Sequence, residues 1–204
     1  PGHGKTKLGY FWAASRPKGD AVYDWEISRA ASCLDHVLPI DFEGIMQCDA
    51  YSAYRSFVRD KEHIELAGCW AHGRRKFYEA RERNPRQADW VLHQIMGLYR
   101  IERELREQRA GPQLRAAVRA HQSRPIVERL RRALSRWKLT RRFLPRSRMG
   151  QAIDYALSSW KLLGVYLDDG RVEIDNNLVE NAIRPTALGK KNWLFIGEAE
   201  AGQR

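Results

Sequence analysis

Near residue 74 the apolar residues of this chain change their spacing, and that change bounds what it can fold into. Before it, apolar and aromatic residues come in short runs. Residues 8–15 (LGYFWAAS) are rich in aromatics and run into a turn string, Arg16-Pro-Lys-Gly-Asp20. Residues 21–27 alternate apolar with polar, so the two runs predict an antiparallel hairpin. Residues 44–49 and 64–69 read as two further strands, with short helices over 28–37 and 51–58. Beyond residue 74 the apolar positions recur at steps of three and four. Val91, Ile95, Leu98 and Leu105 mark one stripe, interrupted by Glu102, in a helix expected over about 74–109. Gly111-Pro112 breaks it, and Val127, Leu130, Leu134 and Trp137 mark a second stripe. Both stripes read as packing faces of a helical hairpin rather than as a ligand box. Leu144-Pro145 is another break, and Met149, Ile153, Tyr155, Ala156 and Trp160 open a helix toward Val165. A short helix is expected over 177–183, and Trp193–Ile196 is the last apolar run.

Strands, a long helical block and a mixed segment point to one α/β domain with a helical insertion. The division expected is 1–84 for the first part of a core, 85–150 for a basic helical insertion, and 151–204 for the second part of the core. A chain of 204 residues can bury a real core, and 43% apolar with 10% aromatic residues argues against disorder. No run approaches the ~18 apolar residues of a membrane span, so no membrane partner is expected. With no secretory leader at the start and three cysteines that cannot all pair, the expected compartment is the cytoplasm. The first residue is not Met and both ends are abrupt, so the chain reads as a fragment truncated at both ends.

The net charge of +11 favours nucleic acid or an anionic membrane surface as a partner. It is concentrated: residues 124–148 hold ten Lys or Arg against a single acid, Glu128. Basic runs are often only solvated helix faces. The density here favours phosphate contact, with Arg131, Arg132, Arg141 and Arg142 as its candidates.

Two carboxylates stand in dissimilar settings. Asp49 closes the apolar run Gly44-Ile-Met-Gln-Cys, which places it at the carboxyl end of a strand, where open α/β sheets tend to bind ligands. It could equally cap the helix that follows. Glu180 lies in Ile174-Asp-Asn-Asn-Leu-Val-Glu180-Asn-Ala-Ile-Arg-Pro185. Helical spacing puts Asn177, Glu180, Asn181 and Arg184 on one side, with Leu178, Val179, Ala182 and Ile183 on the other. That polar side is either a metal carboxylate with phosphate-contacting neighbours or a solvent face with a Glu180–Arg184 pair. Gly189-Lys-Lys-Asn-Trp193 offers Lys190, Lys191 and Trp193 to a phosphate backbone and a stacked base, or is an ordinary basic loop. Cys69-Trp-Ala-His72 could begin a zinc site, but no second pair follows. The better reading packs Cys69 at a strand end and sets His72, Arg74, Arg75 and Lys76 near the site or the DNA.

These strings resemble one family. Gln47-Cys-Asp49-Ala-Tyr51, Cys69-Trp-Ala-His72 with Arg74-Arg-Lys-Phe77, the Ile174–Pro185 string, and Leu188-Gly-Lys-Lys-Asn-Trp-Leu-Phe195 look like bacterial insertion-sequence-66 family transposases. The resemblance spans essentially the whole chain. It implies an RNase H-like mixed sheet interrupted by a long α-helical insertion, with an Asp-Asp-Glu catalytic triad. By motif, Asp49 would be the second acid and Glu180 the third. The first acid normally lies on a strand shortly before the Gly4-Lys-Thr-Lys segment, so the first core strand is expected to be missing and the fragment inactive alone. Two divalent ions are implied, normally Mg²⁺ with Mn²⁺ as a substitute, for cleavage of insertion-sequence ends and their transfer to target DNA. A homo-oligomer, accessory proteins of the same element and a nucleoid-associated location are implied as well. Against this stand a non-catalytic DNA-binding or regulatory remnant and an RNase H-like nuclease.

Overall fold

The computed structural model of the chain describes residues 9–16, 19–49 and 51–182. They form a mixed α/β protein in which helix predominates and the sheets are small. Two compact units are present, one of Pro1–Gly44, Tyr51–Glu65 and Asn177–Arg204, the other of Ile45–Ala50 and Leu66–Asn176.

In the first unit, β1 (Tyr10–Ser15) and β2 (Ala21–Glu26) form the expected antiparallel hairpin, with Tyr10 opposite Glu26 and Ser15 opposite Ala21. Its turn closes through a 3.0 Å bond from the Gly19 N–H to the Arg16 carbonyl. Phe11 and Trp25 face each other across the strands with ring centroids 4.7 Å apart, a cross-strand pair that fixes the register. Trp12 points to the other face, is buried, and meets Tyr54 edge-on. The helix expected from residue 28 begins later, as a 3₁₀ turn (Ala31–Cys33) leading into α1 (Leu34–Val37). The Ser28 hydroxyl accepts the Ala30 N–H at 3.0 Å, and Ala30 is extended, so the local side-chain bond competes with the helix.

Next come β3 (Gly44–Gln47), α2 (Ser52–Phe57) and β4 (Ile64–Ala67). The Gly44 N–H bonds the His63 carbonyl and the Cys48 N–H bonds the Ala67 carbonyl, each at 2.9 Å. The partners advance together along both strands, so β3 and β4 are parallel, with α2 in the crossover. The boundary between the units runs through both strands. The hairpin and the β3–β4 pair are separate two-stranded sheets.

The second unit is helical. The single helix expected over about 74–109 is two: α3 (Trp70–Ala80) and α4 (Pro85–Glu107). Proline disfavours helical geometry in the residue before it, and Asn84 accordingly sits at φ −134°, ψ 56°, with Pro85 opening α4. After α5 (Pro112–Val118) a π turn (Arg119–Ser123) leads without a break into α6 (Arg124–Leu139). Pro125 has no N–H to return to an earlier carbonyl, which favours a wide turn just ahead of it. The helix expected toward Val165 is also two, α7 (Arg148–Ser158) and α8 (Trp160–Asp168), parted at Ser159. The Ser147 hydroxyl caps α7 by accepting the Gly150 N–H, and a side chain at Gly150 would strike the Leu144 carbonyl.

The two stripes become the core except at Trp137, which is half-buried. Val91, Ile95, Leu98 and Leu105 of α4 are buried, as are Val127, Leu130 and Leu134 of α6. Each contributes ~1.5–3 kcal/mol relative to exposure. Helix α3 packs on α7 and α4, and α6 packs on α4 and α7. Among the described residues no helix is long and apolar enough to cross a membrane.

Glu102, which interrupts the α4 stripe, is wholly buried. Arg119 of the π turn, equally buried, grips it with two 2.7 Å bonds, a bidentate fork. The remaining Arg119 donors reach the Tyr166 and Asp169 carbonyls at 2.7 and 3.0 Å. Arg115 bridges Glu102 to Glu173, and Arg106 holds the other Glu173 oxygen at 3.0 Å. Three guanidiniums thus alternate with two carboxylates, from the buried Arg119–Glu102 pair out to the half-exposed Arg106.

Candidate functional site

Asp49 is half-buried, two residues beyond the last residue of β3. The strand end is tied to a distant part of the chain. The Gln47 amide donates to the Gly68 carbonyl at 3.2 Å and to the Glu173 carbonyl at 2.7 Å. The Trp70 N–H bonds the Ile174 carbonyl at 3.1 Å, and the Trp70 indole donates to Leu163 at 2.9 Å. Residues 173–174 are therefore laid against the end of β3 and the start of α3. Gly68 makes this possible, since it bonds Leu162 and a Cβ there would lie only 3.1 Å from the Leu163 nitrogen.

Asp175 follows, buried beside Tyr99 and Cys69. Burial first, then the Asp175 charge, holds the Tyr99 phenol far above its ordinary value. Burial likewise pushes the Cys69 thiol up to about 11, against backbone hydrogen bonds from Asn176, His72 and Ala71. Glu173 is held below the usual carboxylate range: burial raises it, but Arg115 and Arg106 outweigh that.

Glu180 is exposed on the helical residues 177–182, which meet the hairpin through a 2.9 Å bond from the Tyr23 hydroxyl to the Ala182 carbonyl. Leu178, expected on the apolar side of this helix, is 60% exposed. Asp49 and Glu180 belong to different compact units.

The Cys69–His72 string gains no further metal ligands among the described residues. The buried, protonated Cys69 packs at a strand end as its sequence position indicated. Behind it on α3, His72 is half-buried, Arg74 and Arg75 are exposed, and the Lys76 ammonium lies 4.9 Å from the Tyr155 ring centroid. Among the described residues, Asp24, Glu26 and His36 are the group that brings three possible ligand atoms within 4.8 Å of one another. There His36 already bonds Glu26 at 2.7 Å. No sequence motif singled out this trio, because the hairpin and α1 assemble it.

The basic block resolves into a shaped surface. Arg129, Arg132 and Arg136 recur along one side of α6, and with Ala133, Trp137 and Thr140 they line an open cleft of about 650 Å³. Trp90 of α4 and Arg142 complete the lining. Of the four arginines chosen from sequence, Arg132 and Arg142 are in it; Arg131 and Arg141 are exposed outside the lining. Arg129 and Arg136 were legible from their helical spacing to Arg132. Trp90 was not, since only α4–α6 packing brings it there. The last turn of α6 closes with bonds from Arg141 to Lys138 (3.1 Å) and from Arg142 to Trp137 (3.0 Å), a Schellman motif. Its left-handed position is Arg141, at φ 49°. A non-glycine residue there costs ~1–2 kcal/mol, and the reversal carries Arg142 back to within 6.0 Å of both the Trp137 and Phe143 rings. Arg184, Lys190, Lys191 and Trp193, and the run at 193–196, lie outside the described residues.

A mixed α/β protein with a carboxylate at the end of a parallel strand pair and an arginine-lined helical unit is the class defined by these features. The sequence profile described as "Transposase IS66 family" matches residues 1–204, and the chain belongs to that family. It is similar to uncharacterized protein y4qI of Sinorhizobium fredii (strain NBRC 101917 / NGR234), 38% identical over 220 residues covering 100% of this chain and 40% of that protein. Uncharacterized protein y4jD of the same organism is 33% identical over 217 residues, covering 100% of this chain and 42% of that protein. The chain thus spans about two fifths of the length of these relatives. No solved structure matches it significantly.

Proposed function

We propose that the protein to which these residues belong is a DNA transposase that cleaves insertion-sequence ends and joins them to target DNA. The observation that carries this reading is Asp49 at the carboxyl end of β3, with the segment leading to Glu180 laid against the same strand end through Gln47 and Trp70. Parallel pairing of β3 and β4 supports an RNase H-like core, and the α4–α6 block (within 85–150) supports a helical insertion into it.

Asp49 and Glu180 offer oxygen donors only, which suits a hard divalent cation, Mg²⁺ or in its place Mn²⁺. When bound, a pair of such ions supplies Lewis-acid activation of the attacking oxygen and charge neutralisation at the leaving oxygen. The chain's own residues then have distinct duties. The half-buried Asp49 is fixed by β3 and orients its carboxylate. Glu180, exposed on its helical turn, would supply the other carboxylate that the family motif calls for. His72, Arg74, Arg75 and Lys76 hold the phosphodiester that runs past it, with Arg184, Lys190, Lys191 and Trp193 as further DNA contacts. The family pattern asks for one further acid, the first of the triad, beside Asp49 and Glu180. Homo-oligomer assembly, accessory proteins of the same element and a cytoplasmic, nucleoid-associated setting belong to the same reading.

The test uses the full-length protein and end-labelled element DNA. Asp49→Ala and Glu180→Ala should each abolish Mg²⁺-dependent nicking while DNA retention in a filter assay persists. Strand transfer at wild-type rate by either variant sinks the proposal.

A further inference from the structure

The cleft on α6 has a chemistry that phosphate contact alone does not require. Four guanidiniums share its lining with two indoles, Trp90 and Trp137, and no carboxylate is among the lining residues. Trp137 is held edge-on by Trp90 (centroids 5.9 Å, 66°) and by Phe143 (5.8 Å, 79°), so its plane is fixed before anything binds. Both tryptophans are only half-buried. Arg129 is steadied by a 3.2 Å bond to Gln94. Arg142 is brought to the rings by a reversal with a strained, non-glycine residue at its left-handed position.

A basic helix face would suffice to hold the outside of a duplex. An open, basic, indole-bearing cleft of about 650 Å³ has room for a nucleotide along its floor. An aromatic face can stack only on a base whose own face is free. We propose that this cleft binds single-stranded DNA, taking an unpaired base against Trp137 and its flanking phosphates on Arg129, Arg132, Arg136 and Arg142. The proposal rests on the reading of DNA as substrate and adds to it the strandedness of one part: an unpaired tail or extruded nucleotide is held by the helical unit. Indole stacking and guanidinium–phosphate pairing act together, so neither a bare phosphate nor a blunt duplex satisfies both.

The experiment titrates the 204-residue chain with a short fluorescent oligodeoxythymidylate, a blunt duplex of equal length, thymidine 5′-monophosphate and inorganic phosphate, reading anisotropy and tryptophan emission. The single strand is expected to bind about tenfold or more tighter than the duplex and to quench the emission. Trp137→Ala should weaken it about tenfold, and Trp137→Phe should restore most of the loss, as stacking requires. Arg132→Gln should lower the slope of log K against log salt by about 0.7, the value for one phosphate contact on a single strand. Thermal melts of Trp137→Phe and Arg132→Gln separate binding loss from misfolding. Equal binding of single strand and duplex, with no quenching and no response to Trp137→Phe or Trp137→Ala, overturns the cleft while leaving the transposase reading intact. Binding of phosphate as tight as that of the oligonucleotide overturns it too, by showing an anion site only. Loss of Mg²⁺-dependent nicking is scored separately on Asp49 and Glu180, so failure of one proposal does not carry the other.

Discussion

Arg119 and Arg132 lie on one nearly unbroken helical stretch, yet one is wholly enclosed and the other faces an open cleft. Arg119 spends its donors inside the protein, on Glu102 and two carbonyls. Arg132 shares a lining with three other arginines and two tryptophans. The difference teaches that charge density along the chain does not separate structural cations from binding cations. What separates them is whether a carboxylate is buried within reach. Glu102 and Glu173 supply that in the interior, and no acid does so in the lining of the cleft.

The sharpest way to break this comparison is to remove the interior cation. Arg119→Ala leaves Glu102 buried without its fork and should destabilise the chain by about 3–5 kcal/mol in urea unfolding. The double variant Glu102→Leu with Arg119→Met should recover most of that loss, because the cost lies in an unpaired buried charge. If the single variant costs under about 1 kcal/mol, the interior network does not hold the fold together.

An intermediate effect is expected at Glu173, the outer link of the same network. Glu173→Gln should cost about 1.5 kcal/mol at neutral pH, the scale of a hydrogen bond to a charged group. Its carboxyl is depressed in the folded state, so its stabilisation is complete above its ordinary value of 4.5 and is lost as the pH falls through the lower folded value. The gap between wild type and variant, read from melts across the acid range, should therefore close toward low pH. A gap that widens on acidification would reverse the sign and remove Arg115 and Arg106 as its cause.

The smallest effect is expected on the outer side. Arg132→Gln with Arg136→Gln should move stability by no more than ~0.5 kcal/mol in the same urea assay. A loss as large as that of Arg119→Ala would erase the distinction between the two groups.

Much of the helical unit could be read from the sequence because its rules are local. The stripes at Val91–Leu105 and Val127–Leu134 follow helix geometry, and the structure buries them. The split before Pro85 obeys an equally local rule, but the apolar spacing runs on across it and hides it. What stayed hidden is tertiary. Glu102 stood out as an interruption, but its partner lies 17 positions away, on the π turn. Asp49 was placed at a strand end by its apolar run; the tether from Gln47 to Glu173 joins positions 126 apart in sequence. Trp137 read as part of a packing stripe and Trp90 carried no reading at all; only the crossing of their helices makes a shared wall.

The π turn at Arg119–Ser123 also sets the angular phase between what comes before it and what comes after. Each residue advances an α-helix by about 100°. The wide turn takes up one residue more than an α turn does, so deleting one residue there, with ordinary helical bonding restored, would leave Val127, Leu130 and Leu134 facing α4 and the arginines of the cleft facing out. The wide turn is thus the coupling that lets a buried arginine and a solvent-facing row of arginines share one axis. In relatives of this chain, the loss of one residue from that segment should leave both patterns in place.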